Sequence, residues 1–241
     1  MDFMVLGPLQ VCGSEGEHVR LSSDAQRRLV SVLVLHAGAL VRSEELAELL
    51  GLSPSALRTS VCRLRRHLEA EVITTEPPGY ALHGGAIDVE RFERGLALAR
   101  DADGELARRR ILEEALARWR GVPYAEFADE PWAACEVQRL TELRCGAIED
   151  LVGLELAAAE WSRAAARLLP LIEEEPFRDR PRGLLMRALA GAGRQAEALR
   201  AFEDYRTLLR DEVGTVPSPS LVALDRAIAT SNELRGDLAP A

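Results

Sequence analysis

The sequence predicts two folds in tandem: an α+β winged helix-turn-helix over residues 1–86 and an all-α, tetratricopeptide-like helical-repeat domain over 87–230, followed by a flexible tail at 231–241. Three observations carry this. The first third mixes short extended apolar segments with helical spacing, whereas the remainder is helical almost throughout. Two helical segments joined by a tight turn at Gly51 are followed by a hairpin pattern, the order of a winged helix. Finally, Arg163-Ala164-Ala165-Ala166-Arg167-Leu168-Leu169 echoes Arg194-Gln195-Ala196-Glu197-Ala198-Leu199-Arg200. Their separation is near the ~34-residue period of tetratricopeptide repeats, in which each helical pair buries its open face against a neighbour.

The elements follow in order. Phe3-Met4-Val5-Leu6 reads as a strand turned by Gly7-Pro8 and resumed at Leu9, and His18-Val19-Arg20-Leu21 as a second candidate after a Gly/Ser/Glu turn. Ser22-Ser23-Asp24 supplies N-cap oxygens for a helix over 25–36, with Leu29, Val32, Leu33 and His36 on one face and Gly38 at its end. Ser43 is the expected cap of a second helix reaching Leu50, whose Glu44 and Glu45 suit the positive end of the helix dipole. A third helix opens with Ser53 as cap and Pro54 at the first helical position, where a missing N–H does no harm, and is expected to run to about Leu68. Segments 71–75 and 80–83 then flank Glu76-Pro77-Pro78-Gly79 as a hairpin, and Gly84-Gly85 marks a hinge.

From Asp88 onward helices are expected at about 88–100, 104–119, 131–159, 161–175, 178–191, 194–213 and 217–230. Pro131 opens the longest, Pro170 interrupts the fourth, Gly191 and Gly193 separate two others, and Pro217 and Pro219 start the last. Trp119, Trp132 and Trp161 read as stack core or hydrophobic-groove residues rather than a cofactor site, and Tyr124 and Phe127 as covering the joint between helical pairs.

Composition narrows the function. All 30 basic residues are arginine, set against 39 acids, for a net charge of −9. Without lysine there is neither a Schiff-base lysine nor a G-x-x-x-x-G-K-[ST] phosphate loop, and no G-x-G-x-x-G occurs. Cys12, Cys62, Cys135 and Cys145 form no C-x-x-C pair and the four histidines have no ligand spacing, so neither metal nor cofactor is expected. No apolar run approaches the ~18 residues of a membrane span. The start lacks a basic segment before Arg20, and a cytoplasmic, nucleoid-associated location is expected.

The third helix carries the chemistry. At ~100° per residue Leu57, Val61, Leu64 and Leu68 share one narrow stripe. Opposite lie Ser55, Thr59, Cys62, Arg63 and Arg66, with Arg58 and Arg65 on one flank and no acid among them. Residues 1–86 hold eight arginines and ten acids, and half of those arginines fall between positions 58 and 66. An arginine fork is bidentate toward phosphate and guanine alike, so this face suits the major groove of DNA.

Phe3-Met4-Val5-Leu6-Gly7-Pro8-Leu9-Gln10-Val11, Arg63-Leu64-Arg65-Arg66-His67-Leu68 and Pro77-Pro78-Gly79-Tyr80 resemble the DNA-binding half of the Streptomyces antibiotic regulatory protein (SARP) family. Asp129-Glu130-Pro131, Arg139-Leu140-Thr141-Glu142-Leu143-Arg144, Leu185-Met186-Arg187-Ala188-Leu189, Gly193-Arg194-Gln195-Ala196-Glu197-Ala198-Leu199 and Asp211-Glu212-Val213-Gly214-Thr215-Val216-Pro217 resemble its bacterial transcriptional activation domain. The resemblance implies an OmpR-type winged helix that binds promoter repeats, as a possible homodimer on direct repeats. It also implies an activator of a secondary-metabolite (antibiotic) gene cluster that recruits RNA polymerase holoenzyme through its sigma subunit. The expected DNA-binding residues are Ser55, Arg58, Thr59, Cys62, Arg63, Arg65 and Arg66, with Thr75 and Tyr80 from the hairpin. Two departures stand out: the connection Gly51-Leu52-Ser53-Pro54 is short for the family, and Glu76 stands where the family often has a basic residue. An acid there is repelled by phosphate, so the wing is expected to bind weakly.

A second class is a protein-interaction scaffold whose winged domain has weak or no DNA affinity, which the acidic net charge, the short turn and Glu76 would permit. An enzyme is the third. Asp129-Glu130 beside Trp132 could be an acid/base pair, but acids at a helix start more often complement its dipole.

Overall fold

The computed structural model describes residues 1–69 and 72–236. The chain divides into two compact units, 1–144 and 145–241, the division falling inside one long helix.

In the first unit β1 (Asp2–Met4) pairs antiparallel with β2 (Gln10–Cys12), with Phe3 opposite Val11, and parallel with β6 (Ala86–Ile87). A second sheet has the order β3-β5-β4, from β3 (Leu40–Arg42), β4 (Ile73–Glu76) and β5 (Gly79–Leu82). Two helices, α1 (Asp24–Leu35) and α2 (Ser43–Leu49), pack against the second sheet, and α3 (Pro54–Leu64) packs against both of them. The expected apolar faces are the buried ones, with Leu29, Val32 and Leu33 on α1 and Leu57, Val61 and Leu64 on α3 each at most 2% exposed. Burying one such side chain contributes about 1.5–3 kcal/mol, so each stripe fixes which way its helix faces.

Several expectations are corrected. The 18–21 segment forms no strand: His18 makes one isolated bridge to Cys12, and the loop between them closes on itself through Gly13 N–H to Glu17 O. Ser43 is not a cap. Arg42 holds the cap position, because β3 leads straight into α2 and the Ser43 N–H donates to Pro78 O at 3.0 Å. The third helix ends at Leu64 and continues to Leu68 only as a turn, whereas Ser53 does cap it, its Oγ accepting from the Ala56 N–H.

The α2–α3 connection is closed by two hydrogen bonds, Gly51 N–H to Glu48 O and Leu52 N–H to Ala47 O. This is the Schellman pattern, which requires the left-handed φ of +60° found at Gly51. Gly79 is required for a different reason: a Cβ there would stand 1.9 Å from Val41 O, so only glycine lets β5 approach β3.

The first unit also contains α4 (Asp88–Arg100), α5 (Glu105–Leu116), a 3-10 turn (Ala125–Phe127) and the start of α6 (Pro131–Ala157). Asp88 is 6% exposed, and its two carboxylate oxygens accept the N–H groups of Val5 and Leu6 at 2.9 and 3.0 Å. Arg120 donates to Pro8 O at 2.9 Å, and Glu126 pairs with Arg27 and accepts the Leu9 N–H. Glu130 pairs with Arg28 at 2.9 Å, and Arg28 lies over the Phe127 ring. Tyr124 and Phe127 are buried against Trp132, and the Tyr124 N–H donates to Val5 O. Their loop therefore covers the N-terminal sheet and α1, where the sequence suggested a joint between helical pairs.

The second unit holds the end of α6, then α7 (Trp161–Glu174), α8 (Asp179–Gly191), α9 (Gln195–Leu208), a π turn (Leu209–Val213) and α10 (Pro219–Gly236). Helix α7 runs through Pro170 without a break. Helix α10 continues six residues beyond its expected end, and 237–241, the rest of the expected tail, lie outside the described residues. Two buried acids of α6 are paired, as buried charges must be. Glu149 meets Arg178 at 2.6 Å, and Glu155 meets Arg167 at 2.8 Å and Arg163 at 3.1 Å.

Candidate nucleic-acid interface

With its apolar stripe buried, α3 turns Ser55, Arg58, Thr59, Cys62 and Arg63 to solvent, and Arg66 follows in the turn after Leu64. Six of the nine residues expected to meet DNA therefore lie together on one exposed surface. Among the described residues no ion pair engages Arg58, Arg63 or Arg66, so their charge is available to an anion. Thr59 is locally occupied, its hydroxyl donating to Ser55 O at 3.0 Å.

Arg65 is placed differently. Its Nε donates to Ile73 O at 2.9 Å and its Nη2 to the Thr75 hydroxyl at 2.8 Å. Arg65 and Thr75 thus join the end of α3 to the hairpin, with Arg65 as the strut between them. Tyr80 does not belong to the exposed surface. It is 7% exposed in the central strand β5, so it supports the hairpin from within.

Glu76 does not stand alone. Its carboxylate accepts from the Thr74 hydroxyl at 2.9 Å and meets His83 Nε2 at 2.7 Å. The His83 bond, then that of Thr74, holds its carboxyl below the usual glutamate range, so it stays charged near neutrality. Strand register puts Thr74 and Glu76 on one hairpin face and Thr75 on the other, the face that meets Arg65.

Sequence reasoning missed Arg42. It pairs in register with Gly79, is exposed, and reaches Glu44 only at 3.9 Å, which adds a cation beside the hairpin tip. The signal was hidden because β3, which carries it, was not recognised. Of the Asp129-Glu130 pair, Glu130 has a structural use: its O accepts the Ala133 and Ala134 N–H groups at the start of α6 while its side chain pairs with Arg28. No cluster of three metal-ligating side chains occurs among the described residues, and no helix there is long and apolar enough to cross a membrane.

Comparison with known proteins gives a consistent picture. Residues 87–229 match the bacterial transcriptional activator domain family. The chain is 35% identical over 251 residues to the regulatory protein AfsR of Streptomyces coelicolor, a match covering 99% of this chain and 25% of AfsR. It is 30% identical to the regulatory protein DnrI of Streptomyces peucetius, covering 95% of this chain and 92% of DnrI. Among solved structures, Mycobacterium tuberculosis EmbR in complex with a low affinity phosphopeptide aligns with a TM-score of 0.84 at 28% identity. That alignment covers 95% of this chain and 65% of EmbR, so the chain spans about a quarter of AfsR and about two thirds of EmbR.

Proposed function

The chain belongs to the SARP family of transcriptional regulators, with that family's activator domain over 87–229, and from this premise we propose that it is a sequence-specific, DNA-binding activator. Residues 1–86 act as a winged helix whose α3 enters the major groove of promoter DNA, and residues 87–230 act as the activation domain that engages RNA polymerase holoenzyme through its sigma subunit. The observation that carries this is the outer surface of α3, where Arg58, Arg63 and Arg66 are exposed with no acid among them and no ion pair in the described residues.

In this reading Arg63 and Arg66 hold phosphates. Ser55, Arg58 and Thr59, nearer the helix start, face base edges. Single DNA-binding modules bury only ~600–1,000 Å² of protein surface, so specificity needs a second copy on an adjacent direct repeat or a polymerase bound alongside. In this reading the targets lie upstream of secondary-metabolite genes. Gel shifts with promoter DNA at low and raised salt test the proposal, because phosphate-driven binding weakens steeply with salt. Binding that is absent at low salt would leave the chain a protein-interaction scaffold.

A further inference from the structure

A cleft of about 360 Å³ opens in the second unit between α8 and the first half of α10. Leu184, Leu221 and Leu224 give it an apolar lining, and Gly183 leaves it open: a Cβ at that position would stand 3.2 Å from Leu221 Cδ1. Its charged members are Asp179, Arg180 and Arg187, and they are not equivalent.

Asp179 is committed inward, accepting the Tyr205 hydroxyl at 2.5 Å and the Ser218 N–H at 3.1 Å. Burial pushes its carboxyl up, but the bonds from Ser218 and Tyr205 outweigh that and hold it below the usual aspartate range. Arg180 reaches Glu149 at 3.2 Å and Asp150 at 3.3 Å. Arg187 is exposed and has no ion pair among the described residues. In a chain of net charge −9, this part-apolar cleft is therefore lined by one uncommitted cation and no uncommitted acid.

Two large apolar side chains are exposed in the segments that lead into α8 and α10. Phe177 and Val216 are 51% and 75% exposed, and the Asp179–Ser218 bond draws their segments together.

We propose that this cleft docks an acidic, leucine-bearing peptide segment of another protein. An apolar side chain fits between Leu184, Leu221 and Leu224, and a carboxylate a few residues away meets Arg187. An arginine fork binds a carboxylate through two parallel hydrogen bonds, which gives the site its preference for acid over amide. The volume is near the small end of the ~300–1,000 Å³ range of ligand pockets, so it holds an anchor rather than a whole helix.

The test is selection of binders from a random 12-residue peptide display library on the immobilised full chain, followed by anisotropy measurements on the selected peptides as synthetic probes. The expected peptides carry Asp or Glu within four residues of Leu, Ile, Met or Phe. They should lose at least tenfold in affinity with Arg187→Glu, a solvent-exposed change, and with Gly183→Leu, which fills the cleft without altering charge. Far-ultraviolet circular dichroism and melting of both variants establish that they are folded. Selected peptides that are neutral or basic, or acidic peptides whose affinity is unchanged in folded Arg187→Glu, would overturn the proposal.

Discussion

Replacing Arg63 by alanine removes a guanidinium that is exposed, free of any ion pair among the described residues, and borne by a helix whose opposite face is buried. The fold has little reason to notice, whereas the proposed reading requires DNA binding to weaken. Each phosphate neutralised on duplex DNA contributes about −0.9 to the slope of log K against log salt. Between 50 and 200 mM salt one lost contact therefore changes the parent-to-variant affinity ratio by roughly 3.5-fold, and the Arg63→Ala/Arg66→Ala pair by about 12-fold. Arg65→Ala is the internal contrast, because two of its donors are already turned to Ile73 and Thr75. It should leave the slope nearly unchanged and instead lower stability by about 1 kcal/mol, the worth of an ordinary hydrogen bond at a partly exposed site. Fluorescence anisotropy on one labelled promoter duplex at four salt concentrations measures the slopes, and urea unfolding measures the stabilities. Parallel salt lines for parent, Arg63→Ala and Arg66→Ala would refute the phosphate assignment. A slope change for Arg65→Ala equal to that of Arg63→Ala would refute the strut.

Other perturbations test neighbouring parts of the reasoning. Glu76→Arg exchanges an acid held by Thr74 and His83 for a cation at the hairpin tip, and should tighten low-salt binding to all sequences; affinity equal to the parent's would mean that the hairpin does not approach phosphate. Asp88→Ala leaves the buried N–H groups of Val5 and Leu6 without their acceptors, at about 1–3 kcal/mol each, and a loss below about 1 kcal/mol in urea unfolding would contradict the clamp. Ala159 closes α6 in the left-handed conformation at φ +57°, the place glycine usually takes, so Ala159→Gly should raise stability by about 1 kcal/mol; an unchanged or lowered melting temperature would count against that.

What could be read from the sequence was local. The stripe of Leu57, Val61 and Leu64 has helical spacing, and Ser53-Pro54 and Gly51 are punctuation that acts within a few residues, so α3 and its outer face emerged without the structure. Strands β3 and β6 did not, because their three and two residues lack the flanking apolar run that Val5, Leu6 and Leu9 give to β1 and β2. Asp88 could be read only as a helix start, since the amides it holds are 82 and 83 residues away along the chain. A still longer separation hid Glu126 and Glu130, the partners of Arg27 and Arg28, which tie the loop before α6 to α1. These contacts also change how the protein should be dissected. A fragment ending at residue 86 would lose Asp88 and Arg120, so a fragment ending at 144, where the first unit closes, is the better unit for separating DNA binding from activation.

Genome-wide DNA footprinting of the tagged full chain, beside its Arg63→Ala/Arg66→Ala variant, tests the central claim most directly. The expected result is a small set of promoter sites built from direct repeats about 10–11 base pairs apart, the spacing that puts two copies on one face of the duplex. The variant should lose those sites. Occupancy that persists undiminished in the variant, or no promoter footprint for the parent, would contradict the assignment of α3 as the surface that meets DNA.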